Sequence, residues 1–314
     1  MRQEGRLLVS GGFASEQGVR PDNQDFVGIY DATETERHLH GMVAAVADGV
    51  GGAKGGRIAA ELAVRTLIDG LYDQPDTISR AAAAHAVMAP YNRWLNTMGQ
   101  TENMAHAATT FTAAILKGRK AHILHAGDSR AWHFRDGHLT MLTQDHVRSH
   151  PDQRHILYRA IGIEERLRLD HHEVALAEHD RLLLTSDGVH GSLSAKRLEK
   201  LLGLRNSADA DAQAIVDEAL AAGSQDNASA VLLDIITLPA VDHDSIAGDI
   251  ARLPILDPRN AGFGDGAAFA KGSAAGADGG AQVHLGLDVA PHLPVRQQRF
   301  RQGPQGFLDG RRTG

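Results

Sequence analysis

Three apolar runs of strand length along this chain lead into an aspartate. Val43-Ala-Ala-Val-Ala runs into Asp48-Gly49, Ala121-His-Ile-Leu-His-Ala into Gly127-Asp128, and Leu182-Leu-Leu-Thr-Ser into Asp187-Gly188. Similar short apolar or β-branched runs, bounded by polar turn residues, predict further strands at Leu7 to Ser10, Phe26 to Tyr30, Thr109 to Leu116, Ala131 to Phe134 and Ala228 to Ile236. Lys117-Gly118-Arg119 and Arg135-Asp136-Gly137 fall where hairpin turns would join these runs into an antiparallel meander. Helical period is found from Arg57 to Ile68 and from Ile78 to Leu95, then again over Leu198 to Leu204 and Ala210 to Ala222, with Gly223 as a stop. The polar link from Val147 to Tyr158 carries no clear period. Strands and helices arriving in blocks predict an α+β fold, with packed antiparallel sheets covered by helices.

Two turns stand out from this pattern. The stretch Gly49-Val-Gly-Gly-Ala-Lys-Gly-Gly56 is expected to use its glycines for positive φ and for close approach of the backbone to a ligand. Lys54 is followed by Gly55 rather than Ser or Thr, so it is not a phosphate loop, and the dinucleotide fingerprint lacks its third glycine. The second turn, Gly18-Val-Arg-Pro-Asp-Asn-Gln-Asp25, contains Pro21, which excludes a central strand there and presents Arg20, Asn23 and Asp25 from a loop.

Composition narrows the chemistry. Cysteine is absent, so a metal would be held by oxygen or imidazole. Neither His38/His40 nor His171/His172 has a third ligand at zinc-motif spacing in the sequence. A net charge of −7 argues against a nucleic-acid partner. No apolar run spans a bilayer and the first residues lack a secretory pattern, so no membrane partner and a cytoplasmic location are expected. Residues 241–314 are rich in Gly, Ala, Arg, Gln and Pro and are expected to form a disordered tail behind a domain of residues 1–240.

Asp48, Asp128, Asp187 and Asp226 all lie at strand ends or beside strands. A single Asp-Gly is an ordinary turn, but four such carboxylates converging on one mouth could not all ionise without a cation. Oxygen ligands alone favour Mg²⁺ or Mn²⁺, and two such ions can generate hydroxide and clamp a phosphoryl group.

The chain resembles the metal-dependent type-2C protein serine/threonine phosphatases, the bacterial branch above all. The resemblance is carried, in order, by Arg20-Pro-Asp-Asn-Gln-Asp25, Asp48-Gly-Val-Gly-Gly52, Ala108-Thr-Thr110 and Gly127-Asp-Ser-Arg130. It continues through Leu142-Thr-Gln-Asp-His146, Arg159-Ala-Ile-Gly162, Ser186-Asp-Gly188 and Gln225-Asp-Asn227. It implies an α-β-β-α sandwich of two antiparallel sheets flanked by helices, with two or three Mg²⁺ or Mn²⁺ ions at one end. By resemblance, Asp48 bridges two metals, Gly49 lends its carbonyl to the second, and Asp187 and Asp226 complete the first. Asp25 would hold metal-bound water, Asp128 a third metal and Arg20 the substrate phosphate, while Asn227 orients the site from behind. The implied activity is hydrolysis of phosphoserine and phosphothreonine in proteins by a metal-bridging hydroxide, by a monomer working opposite a cognate kinase. An inactive phosphoprotein-binding module is the alternative, and it would be expected to have lost metal carboxylates. Three positions depart from the family pattern: Gln24 stands where Glu is frequent, Val50 where eukaryotic members carry histidine, and the segment from His146 to Arg159 is shorter than the bacterial flap.

Overall fold

The computed structural model describes residues 6–30, 32–50, 55–101, 104–148, 156–240 and 300–301. Gly51 to Lys54 of the glycine-rich turn, most of the link before Tyr158 and nearly all of the expected tail lie outside these residues. The chain divides into one unit of Met1–Ala240 with Val295–Gly314 and another of Val241–Pro294, the second wholly outside the described residues.

The first half runs β1 (Leu8–Glu16), β2 (Asp25–Tyr30), α1 (Glu34–His40), β3 (Met42–Val50), α2 (Gly55–Leu71), α3 (Arg80–Met98), β4 (Ala108–Thr109), β5 (Phe111–Lys117) and β6 (Lys120–Ala126). There follow β7 (Arg130–Arg135), β8 (His138–Met141), β9 (Asp170–Ala175), β10 (Arg181–Thr185), α4 (Asp187–His190), α5 (Ala195–Gly203), α6 (Ala208–Ala221), β11 (Ala228–Thr237) and β12 (Phe300–Arg301). Two sheets result, with strand orders β1-β11-β10-β7-β8 and β12-β2-β3-β5-β6-β9, β4 joining the second through β3. Every strand pair is antiparallel.

Side-chain alternation sorts each strand between two cores. On β3, Met42, Ala44 and Val46 point between the sheets to meet Leu182, Leu184, Val231 and Leu233. Val43, Ala45 and Ala47 point the other way, under Ala59, Ala63, Leu67 and Met88 of α2 and α3. On the opposite side, Leu183, Ala230 and Leu232 pack beneath Leu198, Leu202, Ile215 and Val216 of α5 and α6. A strand buried on both faces needs no polar residue, which is why Val43 to Ala47 is one unbroken apolar run. The layers are therefore α-β-β-α, as the resemblance implied.

Helix α1 and strand β9 are among the elements that have no counterpart in the apolar pattern. Helix α1 buries none of its residues and is held by a capping box, Thr33 receiving the Glu36 N–H and Glu36 receiving the Thr33 N–H. Strand β9 alternates weakly and is largely exposed along an edge. Elsewhere the differences lie in length: β1 extends to Glu16, with all nine of its residues paired along the long β11 strand, and α3 starts at Arg80 behind the Ser79 cap.

Candidate metal centre

Hydrogen bonding between β2 and β3 sets Asp25 directly opposite Asp48. Side chains of a directly opposed pair share one face, so two carboxylates here repel each other by construction. Asp48 cannot drift from this position. Its N–H donates to Thr110 Oγ1 at 2.9 Å, while its carbonyl accepts from the Thr110 N–H at 2.8 Å and from Thr109 Oγ1 at 2.9 Å. Thr110 Oγ1 is held in turn by Ser129 Oγ at 2.7 Å.

Gly49 follows, and the positive φ expected of the glycine-rich turn is not found there. None of Gly49, Gly55 and Gly56 is left-handed. A Cβ on Gly49 would lie 2.2 Å from the Gly56 carbonyl group, so these glycines let the start of α2 press against the end of β3. Gly127, before Asp128, is the one that needs its φ of +115°, and its N–H donates to His146 Nδ1 at 3.0 Å. His146 is fixed from behind by Asp170, 3.0 Å from Nε2, and Asp170 is paired with Arg159 at 2.6 Å.

Asp187 begins α4 just past β10, and Asp226 lies in the turn before β11. The charges of Asp187 and Asp226 both act on Asp25 and Asp48, and that of Asp226 acts on Asp187. The five carboxylates of Asp25, Asp48, Asp128, Asp187 and Asp226 are thus gathered at one end of the sandwich, where Asp48 feels all four others. Burial, reinforced by these neighbours, pushes the Asp48 carboxyl well above the ordinary range and raises Asp187 as well. Burial likewise lifts Asp25 to about 7, against hydrogen bonds from Ser229 and Ser186. It also lifts Asp128 to about 7, helped by Asp187 and Asp145 and opposed by Arg130.

Two carboxylate oxygens in this group, Asp25 Oδ1 and Asp187 Oδ1, are buried without any hydrogen-bond donor. A buried anionic acceptor with no donor is costly, and a divalent cation among oxygen ligands removes the cost. The donor set therefore fits Mg²⁺ or Mn²⁺.

Arg20 and Asn227 occupy the rim. Asn227 Nδ2 donates to the carbonyls of Gln17 and Asp22 at 2.8 and 3.0 Å, and its Oδ1 accepts from the Gln24 N–H at 2.8 Å. It ties the Arg20 loop to the turn that carries Asp226. Arg20 itself is exposed and reaches Asp226 Oδ2 at 2.6 Å and the Gln225 carbonyl at 3.1 Å. The residue expected to take a phosphate and the one expected to take a metal are here paired with each other.

Residues without an assigned role in the sequence reading complete the surroundings. Ser186 Oγ donates to Asp25 Oδ2 at 2.7 Å. His190 lies one turn past Asp187, with Nδ1 3.0 Å from Thr185 Oγ1, and burial lowers its pKa to about 3. Their motif neighbours were visible in Ser186-Asp-Gly188, but hydroxyl and imidazole roles depend on which strand lies opposite.

The sequence profile of protein phosphatase 2C matches residues 23–235. The chain belongs to that family, and its enzyme class is protein serine/threonine phosphatase. It is 26% identical over 243 residues to the serine/threonine phosphatase stp of Listeria welshimeri, covering 71% of this chain and 94% of that protein. The solved serine/threonine phosphatase of S. agalactiae is 26% identical and superposes with a TM-score of 0.66 over 73% of this chain and all of that one. The catalytic domain of PstP, solved with two manganese ions, is 27% identical with a TM-score of 0.62, covering 73% of this chain and 99% of that domain.

Proposed function

We propose that the chain is an active phosphatase of phosphoserine and phosphothreonine in proteins, with its chemistry at the Asp25–Asp48–Asp128–Asp187–Asp226 cluster. The observation that carries this is the pair of buried, donorless oxygens on Asp25 and Asp187 within a set of five converging carboxylates. Asp48, the Gly49 carbonyl, Asp187 and Asp226 would hold two Mg²⁺ or Mn²⁺ ions, Asp25 would act on them through water, and Asp128 would serve a third. When bound, such ions supply a hydroxide nucleophile at neutral pH and neutralise the phosphoryl oxygens.

The chain's own residues do the rest. Asp25, fixed opposite Asp48 and oriented by Ser186, accepts a hydrogen bond from the attacking water. Arg20 leaves Asp226 when that carboxylate is engaged elsewhere, and its guanidinium fork then takes two phosphate oxygens. Asn227 keeps the loop of Arg20 at the distance this requires. The catalytic domain ends near residue 240, and it works as a cytoplasmic monomer on the products of a serine/threonine kinase.

Release of phosphate from a phosphothreonine peptide, with Mn²⁺ and with chelator, tests the reading. Turnover that needs the cation supports it. Binding of the peptide without turnover in saturating Mn²⁺ would instead identify a phosphoprotein-binding module.

A further inference from the structure

The pairing of β6 with β9 brings together three ligand-type side chains that lie far apart in sequence. His122 stands directly opposite Glu173, and His171, two residues before Glu173, projects from the same face. This is the face of Leu124, which packs in the helix-covered core. His122 Nδ1 lies 3.2 Å from His171 Nε2 and 3.6 Å from Glu173 Oε1, and the three ligand atoms all fall within 4.8 Å of one another. The two rings are nearly parallel, at 14°.

These distances are those of a metal site. Two imidazole nitrogens bound to one tetrahedral zinc at about 2.0–2.1 Å stand roughly 3.3 Å apart. Glu173 already turns one oxygen toward the histidines, because Lys120 holds the other at 2.8 Å. Neutral imidazole is the form that binds metal, and the partial burial of His122 favours it. The ladder supplies rigidity, since all three residues are on paired strands rather than loops.

We propose that His122, His171 and Glu173 form a second cation site, for Zn²⁺ or another imidazole-preferring divalent ion, with its fourth position open to water. Mg²⁺ and Mn²⁺ prefer oxygen donors, so the two sites differ in the metal they select. They differ in place as well: four residues of extended chain, about 13 Å, separate His122 from the end of β6 at Ala126, beyond which the chain turns at Gly127 before Asp128. A bound ion would clamp the exposed edge strand β9 to β6.

Cobalt(II) distinguishes the sites, because a four-coordinate ion with nitrogen ligands gives intense visible bands and an octahedral ion among oxygens gives weak ones. The full chain, saturated with Mg²⁺, would be titrated with Co²⁺ and then with Zn²⁺. One equivalent of the intense spectrum, displaced by Zn²⁺, is expected for the unaltered protein and for His172→Ala, whose side chain is on the other face. His171→Ala, at an exposed position, should bind at least about tenfold more weakly while keeping its melting temperature without metal. A weak octahedral spectrum alone in the unaltered protein, or an intense one that survives in both His171→Ala and His122→Gln, would overturn the site and leave a hydrogen-bonded imidazole pair.

Discussion

The two ends of β10 bury charge in opposite ways. At its start, Arg181 is 1% exposed and fully partnered: it pairs with Asp211 and Asp234 and donates to the carbonyls of Leu202 and Asn206. Just beyond its other end, Asp187 joins four further carboxylates, and one of its oxygens has no donor at all. The first arrangement carries its own countercharge and is complete as folded. The second leaves buried carboxylate oxygens without a donor among the described residues. Hydrogen-bond satisfaction tells the two ends apart: buried charges are paired at one and left partly without donors at the other.

This contrast predicts different responses to substitution, the largest at the acidic end. Asp48→Asn removes one of five crowded charges and a ligand at once. Its turnover on a phosphothreonine peptide should fall by at least about a hundredfold, the scale seen when a single preorganised electrostatic group is lost. Its melting temperature in chelator should equal or exceed that of the unaltered protein, as repulsion is relieved. If the melting temperature in chelator drops and turnover survives, the cluster is a structural turn and the contrast fails.

At the other end the effects reverse. Arg181→Ala would strand Asp211 and Asp234 without a counterion, and denaturant unfolding should show a loss of about 3–5 kcal/mol that added Mn²⁺ does not rescue selectively. Arg181→Met, which also leaves the two aspartates, should be as damaging. A mild effect of either would mean that the network is dispensable.

A pH series sharpens the comparison further. In the folded protein Asp25 and Asp128 titrate near 7 instead of 3.8, so each favours the folded state while protonated. That stability is fully present below the unfolded value and is lost as pH rises through the folded one. Chelator-treated protein should therefore melt at lower temperature as pH climbs from about 4 to about 7. Saturating Mn²⁺ should flatten or reverse the trend, because it binds the ionised form of the folded state. A chelator-treated protein that gains stability across this window would remove the repulsion argument.

The smallest effect is expected for Arg20→Ala. The Arg20–Asp226 pair is largely exposed and worth roughly 0–1 kcal/mol, so freeing Asp226 should change apparent Mn²⁺ affinity less than about fivefold. KM for the phosphopeptide should rise more than that, through loss of the guanidinium fork. An unchanged KM would exclude Arg20 from the phosphate site.

Legibility from sequence followed burial. The strands packed on both faces were plain from their unbroken apolar runs, and the helices covering them from their period. Helix α1 was missed because it buries nothing and rests on a capping box, although Thr33-Glu-Thr-Glu36 is the signature of one. Strand β9 was missed because only its partner, β6, gives it a reason to be extended. Positive φ was expected of the glycine-rich turn, whereas Gly49, Gly55 and Gly56 have none, and at Gly49 the start of a helix leaves no room for a Cβ.

By itself the sequence determined the layers and the aspartates at the strand ends, since both follow from local pattern and from residues that can be named in order. It could not say that Asp25 faces Asp48, that Arg20 closes on Asp226, or that His122 meets His171 and Glu173. The first and third depend on register between strands, and shifting either ladder by one residue would turn those side chains to the opposite face, while the second depends on which two loops the sheets bring together. Only the tertiary structure decides register, because it is fixed by how two buried faces pack.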